Sequence, residues 1–377
     1  HFQNLNKQLK DFNMTNLPSI SPSDIPKYIS IAKDLDANIY LHGAPGVGKS
    51  AIVLATAKKM AADQGLDFYH IGKDPKPDNW ETTSAFIDLR VATLDCLDVK
   101  GAPKIEGENT VFKVPSMLPD VMRHGKFGIL FLDELPQGAP SVTNSLTQLI
   151  HDRIMGEHYK LPDSWQIVAA GNRKEDQANT SKLGAQVYNR FMHFNVDADV
   201  KAWAEYQITQ GSDGRVASFV RMKPELLHTY KKNDIAFATP RIWSKVDQVV
   251  TANVLRGEDL ETVVASLIGV VTAREVCGFL EIIHQLPSWS EIVKAPDTAR
   301  LPDPGEKQVI GCYYALVGMC GNRVDFDTID AAMEYVSRIP NREIQQTFIF
   351  ELQVKKPELM ATSAISKWRS LNSDIAV

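Results

Sequence analysis

The run Gly43, Ala44, Pro45, Gly46, Val47, Gly48, Lys49, Ser50 constrains this chain more than any other feature. It has the spacing of a glycine, four residues and then Gly-Lys-Ser. A short apolar stretch, Asn38, Ile39, Tyr40, Leu41, precedes it, and a helical pattern runs from Lys49 to about Gln64. A strand, a glycine-rich turn and a helix in that order predict a phosphate-binding loop. Glycines let backbone N–H groups close around phosphate oxygens. The N-terminus of the following helix adds a favourable dipole at the same place. Lys49 is then expected to neutralise the phosphates and Ser50 to ligate Mg²⁺. The candidate nucleotide-binding residues are Gly43, Ala44, Pro45, Gly46, Val47, Gly48, Lys49, Ser50 and Ala51.

Further apolar runs fall at 68–71, 85–91, 129–132 and 165–170. Strands alternating with helices predict an α/β fold: a parallel sheet covered by helices on both faces. Two of these strands end in chemistry. Ile129, Leu130, Phe131 and Leu132 run into Asp133 and Glu134. Ligands bind at the carboxyl ends of strands in open α/β sheets. Asp133 is placed to hold Mg²⁺, directly or through water, and Glu134 to polarise an attacking water. Ile167, Val168, Ala169 and Ala170 lead through Gly171 to Asn172, an amide positioned for that water or for a terminal phosphate. Read alone, Asn172 is more simply a strand-end turn residue. Lys49 and Asp133 lie 84 positions apart, and Asp133 and Asn172 lie 39 apart. The first gap leaves room for an insert between the loop and the acid pair; the second leaves room for one helix and a hairpin.

After about residue 199 the pattern becomes helical, with candidate helices at 240–255, 259–283 and 328–336. An earlier helix is expected to start at Ser23 and Asp24, with Pro26 just inside it. Residues 287–305 contain Pro287, Pro296, Pro302 and Pro304 and read as a loop or linker. The expected organisation is an α/β core at 1–198, a helical lid at 199–296 and a C-terminal helical extension at 297–377. Within the extension, residues 345–350 suit a packing face. No internal repeat or low-complexity segment is visible.

Composition narrows the function classes. The chain has 377 residues, 44% hydrophobic and 23% charged, with a net charge of −5. Dedicated nucleic-acid binders carry a basic face, whereas Lys and Arg are dispersed here. The doublets Lys58–Lys59, Lys231–Lys232 and Lys355–Lys356 read as solvated surface. Cys96, Cys277, Cys312 and Cys320 form no CxxC pair, which points to free thiols in a reducing compartment. The opening residues His1, Phe2, Gln3 and Asn4 have no apolar signal core, and no run is long enough to span a membrane. A cytoplasmic location, with no membrane partner, is the expectation.

The three motifs, in this order, resemble the AAA+ ATPases, and within them the MoxR-like branch, over roughly residues 20–290. Residues 98–115 look like that family's insert in its second helix. The strings His151, Asp152, Arg153, Ile154, Met155 and Tyr159, Lys160, Leu161, Pro162 look like the hairpin before the sensor strand. Arg190, in Asn189, Arg190, Phe191, falls where the family has its arginine finger. Arg241, in Ala238, Thr239, Pro240, Arg241, falls where the lid carries its sensor 2 arginine. The resemblance implies ATP and Mg²⁺ as cofactors, with Glu134, Asn172, Arg190 and Arg241 as catalytic residues. It implies hydrolysis between subunits of a homo-oligomeric ring, as a hexamer, and a protein substrate. It also implies a separate partner with a von Willebrand factor A domain, since no Asp-x-Ser-x-Ser string occurs in this chain.

One departure is clear. MoxR-like proteins commonly follow the two acids with Ile-Asn-Arg-Ala, whereas this chain has Leu135, Pro136, Gln137, Gly138, Ala139, Pro140. That, with the string from Ser218 to Leu227, resembles a sub-branch common in bacteria and their phages. The residue-level reading also gives Arg153 a structural role in preference to a second trans-acting one. Competing functions are a DNA-dependent motor or defence-nuclease subunit, a metal-chelatase motor and a non-hydrolysing switch. The intact Asp133–Glu134 pair argues against the last, and the acidic balance argues against DNA.

Overall fold

The computed structural model describes residues 17–173, 183–230, 234–303 and 308–372. The chain forms two compact units, His1–Asp197 and Ala198–Val377. The expected features at residues 1–4 and at Lys231–Lys232 lie outside the described residues, as does Pro304.

The first unit is built on a seven-stranded sheet whose paired strands all run parallel. In chain order these strands are β1 (Ser19–Ile20), β2 (Asn38–His42), β3 (Asp67–His70), β4 (Thr83–Arg90), β7 (Phe127–Asp133), β10 (Trp165–Gly171) and β11 (Phe191–Val196). Across the sheet they are ordered β1-β11-β2-β10-β7-β4-β3. The central strands are apolar on both faces because helices cover both. From β7, Leu130 and Leu132 enter a core with Val142, Leu146 and Leu149 of helix Pro140–Asp152. Ile129 and Phe131 alternate to the other face and are equally buried. There the helix Lys49–Asp63 packs on β3, β4 and β7.

Among its described residues this unit has the α-helices α1 (Ile25–Asp34), α2 (Lys49–Asp63), α3 (Cys96–Lys100), α4 (Val121–His124), α5 (Pro140–Asp152) and α6 (Ala185–Tyr188). Helix α1 begins as the sequence predicts, with Asp24 at its N-cap and proline in its first turn. Two antiparallel hairpins also occur among the described residues of this unit: β5 (Pro103–Glu106) with β6 (Asn109–Phe112), and β8 (Ile154–Met155) with β9 (Tyr159–Lys160). The first occupies the expected insert, is exposed along both strands and follows α3. The second is the hairpin expected before β10.

The second unit is wholly helical among its described residues. Helices α7 (Val200–Thr209), α8 (Arg215–Met222), α9 (Pro240–Ala252), α10 (Gly257–Ile268) and α11 (Val270–Ile283) enclose one core around Trp203, Phe219, Trp243 and Phe279. Helices α12 (Trp289–Lys294), α13 (Val309–Arg323), α14 (Ile329–Ser337), α15 (Arg342–Lys355) and α16 (Ser363–Leu371) enclose another around Leu316, Tyr335, Phe348 and Trp368. Ile344, Gln345, Phe348 and Ile349 of α15 are buried, as a packing face requires.

Four readings of the sequence change. The pattern at 259–283 is two helices, because Gly269 adopts φ 84°, ψ 152° and breaks the helical path. The proline-bearing stretch 287–305 contains α12, whose N-terminus is set by a reciprocal Ser288–Glu291 capping box. Residues 191–196, which follow the arginine-finger candidate Arg190 and are not expected from the sequence to be a strand, form β11, beside the phosphate-loop strand. The doublet Lys355–Lys356 is half-buried and bonded. Lys355 Nζ donates to the Ser212 carbonyl at 3.1 Å and to Asn322 Oδ1 at 2.6 Å, and Lys356 Nζ donates to the Asn322 and Val324 carbonyls. Long lysine stems can lie along a packed surface while the ammonium finds carbonyls. Lys58 and Lys59 are exposed.

Candidate nucleotide-binding site

Three adjacent strands, β2, β10 and β7, end side by side. Their carboxyl ends deliver the phosphate loop, Asn172 and the Asp133–Glu134 pair to one edge of the sheet. The loop is pinned to its neighbour: Gly43 N–H donates to the Gly171 carbonyl at 3.2 Å. Gly46 and Gly48 have φ of 80° and 101°, values that side-chain-bearing residues rarely adopt. A Cβ built on Gly48 meets nothing within 4 Å, so the turn opens onto free space at the start of α2. The concave turn of N–H groups followed by a helix N-terminus suits a phosphate chain.

Lys49 is 8% exposed. Its ammonium folds back over the loop, donating to the Gly43 carbonyl at 2.7 Å and the Ala44 carbonyl at 3.1 Å. A buried cation held by two loop carbonyls sits where the loop would enclose an anion. Ser50 Oγ donates to Asp133 Oδ2 at 2.7 Å. A hydroxyl from α2 and a carboxylate from β7 therefore converge on one point. Both are hard oxygen donors, the chemistry Mg²⁺ selects. No group of three or more His, Cys, Asp or Glu able to hold a metal occurs among the described residues. The donor set fits an ion shared with phosphate oxygens and water, the usual mode for Mg²⁺. The other carboxylate oxygen of Asp133 accepts from the Glu134 N–H at 2.9 Å. Glu134 follows with φ 55° and is half-buried. That left-handed turn takes its side chain off the regular strand path.

Several residues around the loop carry no signal in the sequence. Arg173 donates to Asp197 Oδ1 at 2.6 Å and to the Val196 carbonyl at 3.2 Å. This ties the chain just beyond Asn172 to the end of β11. His42 and His193 bond to each other at 2.9 Å, and His193 Nε2 donates to the Tyr188 carbonyl at 2.7 Å. That chain makes His193 Nδ1 the acceptor and His42 Nε2 the donor. Burial, then His193, Arg173 and Lys49, push the His42 imidazole down to about 3, so it is neutral beside the loop. Tyr40 stacks on His42 with ring centroids 4.2 Å apart. Its hydroxyl is enclosed beside Gly171 and Pro136.

The two remaining arginines lie elsewhere. Arg190 is exposed at the start of β11, where Phe191 pairs with Asn38 at the start of β2. Five residues of strand, roughly 16 Å of rise, separate that level from the phosphate loop. Arg190 thus stands at the opposite end of the sheet from its own chain's loop, bonded to His151. Arg241 is exposed in the first turn of α9, after the Thr239 N-cap, whose hydroxyl accepts from Ile242 N–H. Arg153 donates to the Pro162 carbonyl at 2.8 Å and the Trp165 carbonyl at 2.6 Å, holding the β8–β9 hairpin against β10.

No protein-family model matches this sequence, and no curated protein matches it. Among solved structures, it is similar to a point mutant of RuvB from Thermotoga maritima: 17% identity, 72% of this chain, 74% of that chain, TM-score 0.35. It is also similar to NtrX from Brucella abortus: 14% identity, 92% of this chain, 72% of that chain, TM-score 0.39. A third similarity is to Hsp104 with ATPγS and casein: 13% identity, 65% of this chain, 44% of that chain, TM-score 0.34. The chain has a P-loop α/β fold, continued by an all-helical region.

Proposed function

We propose that this chain is a Mg²⁺-dependent ATPase of the AAA+ type, from the MoxR-like branch, working as a homo-oligomeric ring that remodels a protein partner. The observation that carries the ATPase reading is the convergence of Ser50 and Asp133, 2.7 Å apart, beside a loop that buries Lys49. The loop N–H groups and Lys49 bind the triphosphate. Ser50 and Asp133 would hold Mg²⁺, which would offset charge on the phosphoryl oxygens. Glu134 accepts a proton from water as the water oxygen bonds to the γ-phosphorus. The bond from the γ-phosphorus to the bridging oxygen breaks, leaving ADP and phosphate. Asn172 orients the water from the strand between loop and acids. The separation of Arg190 from its own loop supports a role at a neighbouring subunit's nucleotide, and Arg241 is assigned to the lid. The protein partner, including one with a von Willebrand factor A domain, rests on family resemblance alone.

Two variants test the assignment. Lys49→Ala is expected to abolish ATP binding, because it removes the cation at the centre of the loop. Glu134→Gln is expected to bind ATP with Mg²⁺ yet lose turnover by a factor of roughly 100 or more. Calorimetry and phosphate release on the folded variants check both. Normal ATP affinity in Lys49→Ala, or wild-type turnover in Glu134→Gln, contradicts the reading. Turnover raised by DNA and by no protein fraction replaces the remodelling part of it.

A further inference from the structure

A third carboxylate lies on the face of the sheet that carries the metal-binding pair. Strand β4 runs beside β7 with Asp88 opposite Phe131 and Arg90 opposite Asp133. Ile87 and Leu89 enter the core beneath α5. By alternation Asp88 faces the other way, onto the side of Phe131, Asp133 and helix α2. It sits two residue pairs, one step along the same face, behind Asp133. Asp88 Oδ1 is shut off from solvent and has no hydrogen-bond partner among the described residues. A carboxylate oxygen enclosed without a donor is costly. Burial and then the charge of Asp133 raise its carboxyl above the usual range, Glu134 adds to this, and Arg90 and Lys73 oppose it.

A hydrated divalent cation relieves both costs. It offsets the summed negative charge of Asp88, Asp133 and Glu134. Mg²⁺ also keeps several of its waters, and their hydrogens point outward toward acceptors. We propose that Asp88 is a positioning residue for the metal, accepting a hydrogen bond from a water bound to the ion that Ser50 and Asp133 would hold. This rests on the nucleotide-site reading above. Direct ligation is not assigned, because no three-acid metal cluster occurs among the described residues. Partners of this kind around a metal typically carry 10- to 100-fold in affinity.

The test is ADP affinity by calorimetry, with EDTA and with Mg²⁺, for the wild-type full chain and Asp88→Asn. Asn keeps the side chain's size and removes its charge. Metal-free ADP affinity is expected to stay the same or rise slightly, since a negative charge near the phosphates is gone. The gain in affinity on adding Mg²⁺ is expected to fall about 10-fold or more. Mn²⁺ binding to the ADP complex, followed by electron paramagnetic resonance, is expected to weaken in parallel. Thermal unfolding of the nucleotide-free variant is expected at or above the wild-type temperature. If Asp88→Asn does not fold, Asp88→Leu, matched to the apolar neighbours Phe86 and Phe131, is measured with the same expectation. A metal-dependent gain equal to wild type overturns the role of Asp88. Wild-type protein that binds no ADP with or without Mg²⁺ overturns the nucleotide site itself, a separate outcome.

Discussion

Single buried charges show how a residue's surroundings set its chemistry. Asp247 of α9 is 3% exposed, and burial pushes its carboxyl up to about 6. The Ser212 hydroxyl, donating at 2.8 Å, offsets part of that cost. Below about pH 4 the carboxyl is protonated in both folded and unfolded chains, and its favourable contribution is complete. As pH rises toward 6, the unfolded chain releases the proton first, so that contribution is lost. Asp247→Asn keeps the shape and an acceptor for Ser212 but does not titrate. Its stability relative to wild type is expected to improve between about pH 4 and 6, by roughly 2 to 3 kcal/mol, and then level off. Urea unfolding of both proteins at four pH values measures this. A difference that does not change with pH contradicts the burial argument. Neither Asp247 nor Asp88 stands out in the sequence, because each looks like any helix or strand acid until its neighbours are known.

At the scale of elements, the breaks are as informative as the runs. Helices α10 and α11 are separate because Gly269 holds φ 84°, ψ 152°, a conformation almost confined to glycine. A Cβ there also comes within 3.2 Å of the Ala236 carbonyl oxygen. Gly278, inside α11, has nothing within 4 Å of a built Cβ. The same substitution is therefore expected to act with opposite sign at the two sites. Gly269→Ala is expected to cost about 1 to 3 kcal/mol, whereas Gly278→Ala is expected to add up to about 1 kcal/mol. Thermal unfolding of the pair decides it, and equal shifts in the same direction count against the backbone explanation. In the sequence the 259–283 stretch keeps an apolar helical pattern through the break, so periodicity hides it.

At the scale of the whole molecule, the proposed ring would make catalysis depend on a second copy. Arg190 is exposed and lies at the far end of the sheet from its own phosphate loop. Arg190→Ala is expected to bind ATP nearly as wild type does and to hydrolyse it 10³-fold or so more slowly, the order of an arginine finger's contribution. Mixing it with Lys49→Ala is expected to restore part of the activity. In a mixed ring the intact loop of one variant meets the intact arginine of the other, which neither variant provides alone. Phosphate release from each variant and from the mixture is the measurement. Full wild-type activity in a species shown by ultracentrifugation to be monomeric rules the idea out.

The sequence by itself determined the phosphate loop, the acid pair and the strand–helix alternation. These are local: the loop needs glycines at set spacings, and a buried parallel strand needs a continuous apolar run whatever surrounds it. It also placed the change to helical structure near residue 199, because hydrophobic periodicity shifts there. The tertiary structure alone decided which strands are neighbours. It put β10 between the loop strand and the acid strand, so that Asn172 stands between Lys49 and Glu134. It made β11 from residues 191–196, whose mixed Phe191, Met192, His193, Phe194, Asn195 and Val196 lack the continuous apolar run of β7. It also brought Asp88 behind Asp133, and His42 against His193, across 45 and 151 positions of chain. Strand pairing is set by long-range packing between elements, and a one-residue change of register would turn Asp88 to the opposite face.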